Sequence, residues 1–120
     1  MSRATYLDRV QNQRLQDWAR TLRTMFPGEV PYLVGSAIER ADWRDVDVRM
    51  MLPDEQYDAL AQILDVDRLG IVIGLWGQET TGLPIDFQLQ RTTEANARYS
   101  GRRHALGFGP HTANGDGGPA

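Results

Sequence analysis

The run from Asp45 to Leu52 most constrains what this chain can fold into. Val46, Val48 and Met50 alternate with Asp45, Asp47 and Arg49. That is the period-two pattern of a strand with one buried and one solvated face. The chain therefore builds a sheet covered on one side, and the wet side carries two carboxylates next to each other. Such a pair repels unless something positive lies between its members, and a divalent metal holding a nucleotide phosphate is the commonest such partner. A third acid has a similar setting: Asp86 lies between apolar Ile85 and Phe87 in the run Leu83 to Leu89, which reads as a later strand.

The remaining elements follow from spacing and punctuation. Residues from about Tyr6 to Phe26 read as an amphipathic helix, with Leu7, Val10, Leu15, Trp18, Leu22 and Met25 at helical intervals before Pro27-Gly28. Val30 to Val34 is a short apolar run stopping at Gly35-Ser36, a strand entering a tight turn. Ala37 to Arg44 is polar, with room for a turn of helix. Pro53-Asp54-Glu55 opens a helix whose stripe is Tyr57, Leu60, Ala61 and Leu64. Residues 67–78 are two-sided. Ile71-Val72-Ile73 favours a strand, whereas Leu69, Val72, Ile73 and Trp76 share one helical face, and helix is the preferred reading. Thr92 or Thr93 caps a segment from Glu94 to Tyr99 that ends at Ser100-Gly101.

A chain of 120 residues is one domain, expected over 1–108, with a Gly-rich tail over 109–120 that cannot bury anything. No apolar run is long enough to span a bilayer, and the N-terminus is polar, so the expectation is a cytoplasmic protein without a membrane partner. The absence of cysteine removes disulfides, thiolate ligands and a cysteine nucleophile. A net charge of −3 argues against a broad electrostatic grip on nucleic acid. All 13 Lys+Arg positions are arginine, so any phosphate contact comes from guanidinium forks, backbone N–H groups or metal.

In this order, the residues resemble the nucleotidyltransferase superfamily that includes DNA polymerase beta and the minimal nucleotidyltransferases. Val34-Gly35-Ser36 is similar to its hydrophobic-Gly-Gly/Ser opening, Asp45-Val46-Asp47-Val48 to its paired acids, and Ile85-Asp86-Phe87 to its third acid. The resemblance covers about Tyr32 to Gln90. The wording Thr-Gly-Leu-Pro-Ile-Asp-Phe-Gln also looks like small nucleotidyltransferase-like proteins of actinobacterial phages. It implies an α+β fold, a small mixed β-sheet with helices packed on one face. It further implies transfer of a nucleoside monophosphate from a nucleoside triphosphate such as ATP to an unknown hydroxyl acceptor on a protein, nucleic acid or small molecule. Asp45, Asp47 and Asp86 would be the catalytic residues and ligands of two magnesium ions. Gly35, Ser36 and Arg44 would meet the nucleotide phosphates.

The chain departs from that pattern in two places. The spacer from Ala37 to Arg44 is slightly short, and Arg44 stands where many members have serine. Arg44 either meets phosphate or pairs with Asp42 or Asp45. So short a chain leaves room for a partner chain to supply substrate contacts. Two rivals remain: a non-catalytic nucleotide- or protein-binding module of antitoxin or regulatory type, and a phage structural protein with merely solvated acids. An Asp86 far from the pair, or an Arg44 or Arg49 plugging the site, would defeat the enzyme reading and favour the binding module.

Other motifs carry less. Asp65-x-Asp67 with Gly70 lacks the ligands of a calcium loop. Gly70, Gly74 and Gly77 lack the context of a dinucleotide or P-loop site, and His104 and His111 lack zinc spacing. Arg98, Arg102, Arg103 and His104 are either a solvated helix end or a phosphate contact beside the acids. Trp18 and Trp76 read as core, and Trp43 as core or a stacking surface for a base.

Overall fold

The computed structural model describes residues 5–98 and 101–108. The first helix, α1 (Arg9–Met25), starts three residues later than the apolar spacing suggests because Asp8 caps it. The Asp8 carboxylate accepts the backbone N–H of Gln11 at 2.7 Å, and the Gln11 side chain accepts the N–H of Asp8 at 2.8 Å. This reciprocal box satisfies two end donors that the helix leaves open. Leu15, Trp18, Ala19 and Leu22 are buried, whereas Val10 and Met25, expected in the stripe, are more than half exposed.

Strand β1 (Pro31–Val34) leads through Gly35 into the single turn α2 (Ser36–Glu39), and β2 (Val46–Leu52) follows. Helices α3 (Asp54–Ala61) and α4 (Val66–Thr81) carry the chain to β3 (Ile85–Arg91), which is followed by α5 (Thr92–Arg98) and the two-residue β4 (His104–Ala105). The short β4 carries no sequence signal of its own. Tyr99, Ser100 and the tail expected over 109–120 lie outside the described residues.

The sheet has the order β3-β2-β1-β4. Strand β1 runs antiparallel to both β2 and β4, while β3 is parallel to β2. The parallel step needs a long crossover, and α3 and α4 supply it. The fold is thus mixed α+β. Val46, Val48, Met50 and Leu52 are fully buried, as are Leu33, Ile85, Phe87 and Leu89 nearly so, beneath α1 and α4. Each such side chain contributes about 1.5–3 kcal/mol on burial. The stripe expected of α3 is weaker: none of its residues is buried, and only Tyr57 and Leu60 lean on the core.

Residues 67–78 are helical. Of the expected apolar face, Ile73 is buried and Leu69 and Trp76 pack on the core, while Val72 turns out and three glycines share the inward side. Gly70, Ile73, Gly74 and Gly77 are buried, whereas Ile71, Val72 and Leu75 are over half exposed. The reason is proximity. A Cβ on Gly70 would lie 3.6 Å from Leu89 N and Phe87 O, and one on Gly74 3.5 Å from Phe87 N, so α4 rests almost on the β3 backbone. At Gly77 a Cβ would come within 2.9 Å of Trp18 Cε2 and Cζ2. Trp18 fills that corner, edge-on to Trp76 at 5.6 Å and Phe87 at 6.1 Å between ring centroids. Gly82, in the left-handed region, ends α4, and the buried Thr81 hydroxyl donates to Gly77 O while accepting from Leu83 N.

Two alanine substitutions in α4 are expected to act in opposite directions. Gly70→Ala meets only ordinary contacts and gains helix propensity, so it stabilises by up to about 1 kcal/mol. Gly77→Ala must displace the Trp18 ring and destabilises by about 1–3 kcal/mol. Urea unfolding midpoints of the two variants check the signs.

Candidate functional site

The site lies on the sheet face not covered by α1 and α4. Antiparallel register sets Val34 opposite Asp47, and parallel register sets Asp86 opposite Asp47 on the other side. All three of these positions point to the same face, because paired residues on neighbouring strands share their side. Asp47 is largely enclosed, its side chain 21% exposed, while that of Asp86 is 50% exposed. Asp45 precedes the first residue of β2 and is exposed.

Gly35 closes the end of β1 with φ +79, in the left-handed region where only glycine is unstrained. A Cβ there would run into Asp47 Oδ2. Glycine at this position therefore does two things: it turns the chain, and it lets the Asp47 carboxylate lie against the turn. Ser36, the next residue, is half-buried and opens α2.

Arg49 stands between the acids. Its Nη2 is 3.9 Å from Asp47 Oδ1 and 3.7 Å from Asp86 Oδ2, and its Nη1 donates to Val48 O at 3.0 Å and Asp86 O at 2.7 Å. Two carbonyls and two carboxylates thus hold one guanidinium, which has the forked donors for such a role. It does not balance the charge. Burial, and then the nearby Asp86 and Asp45, push the Asp47 carboxyl above its ordinary range, although Arg49 pulls it down. Two carboxylates face Arg49 and Asp45 adds its charge near Asp47, so the cluster is short of positive charge.

The all-oxygen donor set and that deficit fit a hard divalent cation. Among the described residues, however, no three carboxylate or histidine side chains already stand as ligands of one ion. A metal held by Asp47 and Asp86 therefore requires the Arg49 guanidinium to move aside.

Arg44 lies in the loop before β2 and is exposed. Asp42, one of its two expected partners, pairs with Arg40 at 3.6 Å instead. Trp43 packs against the core, and so do Trp18 and Trp76. The basic group near the C-terminal end disperses. Arg98 is exposed at the end of α5, Arg102 donates to Ile38 O at 3.2 Å, and His104 is drawn below its ordinary range by burial and by Arg102.

Arg103 of that group reaches the open sheet face beside the acids. With Tyr32, Val34, Met51 and Gln90 it lines a cavity of about 220 Å³ that begins at Gly35, Asp47 and Arg49. Sequence reasoning missed Tyr32, Met51 and Gln90 as site residues. Period two from Val34 and Asp47 would have placed Tyr32 and Met51 on this face.

The chain matches no family model, no curated protein and no solved structure.

The raised Asp47 pKa fixes a pH dependence. Between its ordinary 3.8 and the higher folded value, the folded state binds more protons than the unfolded one. Stability therefore falls as pH rises through that window. Asp47→Asn removes this loss, so the variant melts at least as high as the parent at neutral pH. The advantage should vanish below pH 3.8, as melting curves across that range will show.

Proposed function

We infer that this chain is a magnesium-dependent nucleotidyltransferase that moves a nucleoside monophosphate from a nucleoside triphosphate to a hydroxyl acceptor. The observation carrying this reading is the in-register pairing of Asp47 with Asp86 beside the Gly35-Ser36 turn. The pairing brings acids 39 positions apart in the chain to one point, next to a glycine turn that lines the same cavity.

The residues divide the work by chemistry. The Gly35 turn and the Ser36 hydroxyl hold phosphate oxygens of the triphosphate, and Arg44, in the exposed loop, adds a guanidinium to that tail. Asp45, Asp47 and Asp86 are the side chains that would hold magnesium, which when bound neutralises phosphate charge and lowers the pKa of the acceptor hydroxyl. Asp86, the more accessible of the strand carboxylates, takes the acceptor proton. The acceptor oxygen then bonds to the α-phosphorus in line with the departing oxygen, whose bond breaks to release pyrophosphate. Arg49 is the resting counter-ion of the acids, and its guanidinium turns to the phosphates once they arrive.

One observation favours a second reading. Arg49 is fastened at four points between Asp47 and Asp86, as in a module that binds a nucleotide or a protein without transferring anything. Melting temperatures with nucleoside triphosphates, with and without magnesium, separate the two. The transferase reading expects stabilisation that needs both and is lost in Asp47→Asn and Asp86→Asn. Mass analysis of candidate acceptors then detects the added nucleotidyl group, with Asp45→Asn as the control. Triphosphate stabilisation indifferent to magnesium sinks the transferase and leaves the binding module.

A further inference from the structure

The cavity beside the acids is unlike the rest of the open sheet face. Its walls are an aromatic ring (Tyr32), a thioether (Met51), an amide (Gln90) and a guanidinium (Arg103). Tyr32 is paired across the strands with Arg49, and Met51 with Gln90, so the walls come from three adjacent strands. Arg103 is steadied there, with Nη1 3.6 Å from Met51 Sδ and Nη2 3.4 Å from Asn96 Oδ1.

We propose that this cavity seats the adenine of an adenine nucleotide whose phosphates lie at Gly35 and Asp47. The assignment rests on the transferase reading for the position of the phosphates, and on the cavity's own chemistry for the base. Tyr32 and the guanidinium plane of Arg103 are surfaces on which a base stacks, and Met51 adds a polarizable contact. The Gln90 amide offers one donor and one acceptor, the pair that matches the amino group and ring nitrogen along one edge of adenine. From Asp47 to Met51 the strand advances about 13 Å, a distance an extended nucleotide covers from phosphates to base. At about 220 Å³, the cavity suits a base rather than a whole drug-sized ligand.

Three probes divide the ligand: adenosine, magnesium tripolyphosphate and magnesium ATP, each titrated calorimetrically. Adenosine alone is expected to bind, and ATP to bind more tightly than tripolyphosphate. Tyr32→Ala should weaken adenosine and ATP roughly tenfold or more and leave tripolyphosphate unchanged. Gln90→Leu, which removes the amide wall, should weaken the same two ligands should Tyr32→Ala not fold. The proposal is overturned when the parent protein ignores adenosine and holds ATP no better than tripolyphosphate. Adenosine binding with no response to tripolyphosphate upholds the base site and removes the transferase reading, so the two failures are distinguishable.

Discussion

The close seating of α4 on β3 is the constraint on which the rest of the structure depends. Gly70 and Gly74 let the helix approach until its backbone nearly touches that of the strand. The strand is thereby held at the sheet edge, in parallel register with β2. Because the side-chain period is two, a slip of one residue would turn Asp86 inward and bring Ile85 and Phe87 out. Burial of Ile85, Phe87 and Leu89 therefore sets where Asp86 stands. The site's geometry is a consequence of core packing on the far side of the same strands.

Electrostatics at the site follows from this placement. Register brings Asp86 beside Asp47 whether or not the charges favour it, and the core holds them there. Arg49 answers part of the repulsion from within β2, one rung along the same face. Asp47 nevertheless sits above its ordinary range, chiefly because it is buried, with Asp86 and Asp45 adding to the rise against the pull of Arg49. Under the transferase reading, partial compensation leaves the pair able to accept a cation. A fully neutralised pair would have nothing to gain from a cation, and an uncompensated one would weaken the fold that presents it.

Much of this was legible in the chain because it rests on local rules. Alternation from Val46 to Leu52 marks β2 and its two faces, and Pro27-Gly28 and Gly35-Ser36 mark ends that the structure keeps. Asp45, however, falls just outside the strand, which leaves it more solvated than its neighbour. What was illegible depends on contacts between distant elements. The inward face of α4 holds three glycines beside Val66 and Ile73 while Ile71, Val72 and Leu75 stay outside, since apolarity records preference for burial and not how near a neighbouring backbone comes. The cavity escaped notice because Tyr32, Met51, Gln90 and Arg103 are far apart in sequence and meet only through strand pairing. Arg103 adds a further step, for it lies beyond α5 and close to a two-residue strand that no pattern announces.

The two faces of the sheet thus carry different obligations. On the covered face, substitution is limited by volume, and Gly77 shows how little is spare: one methyl group would displace Trp18. On the open face, volume is available but charge is constrained where Asp47, Arg49 and Asp86 stand together on two strands. Arg49 touches both obligations. Its Nη1 is tied to the backbone of β2 and β3, so it helps hold the parallel pair together, and its Nη2 is shared by the acids. A ligand that draws this guanidinium away must replace both ties. Whichever group occupies the site, its binding is therefore coupled to the one strand pair whose register created it.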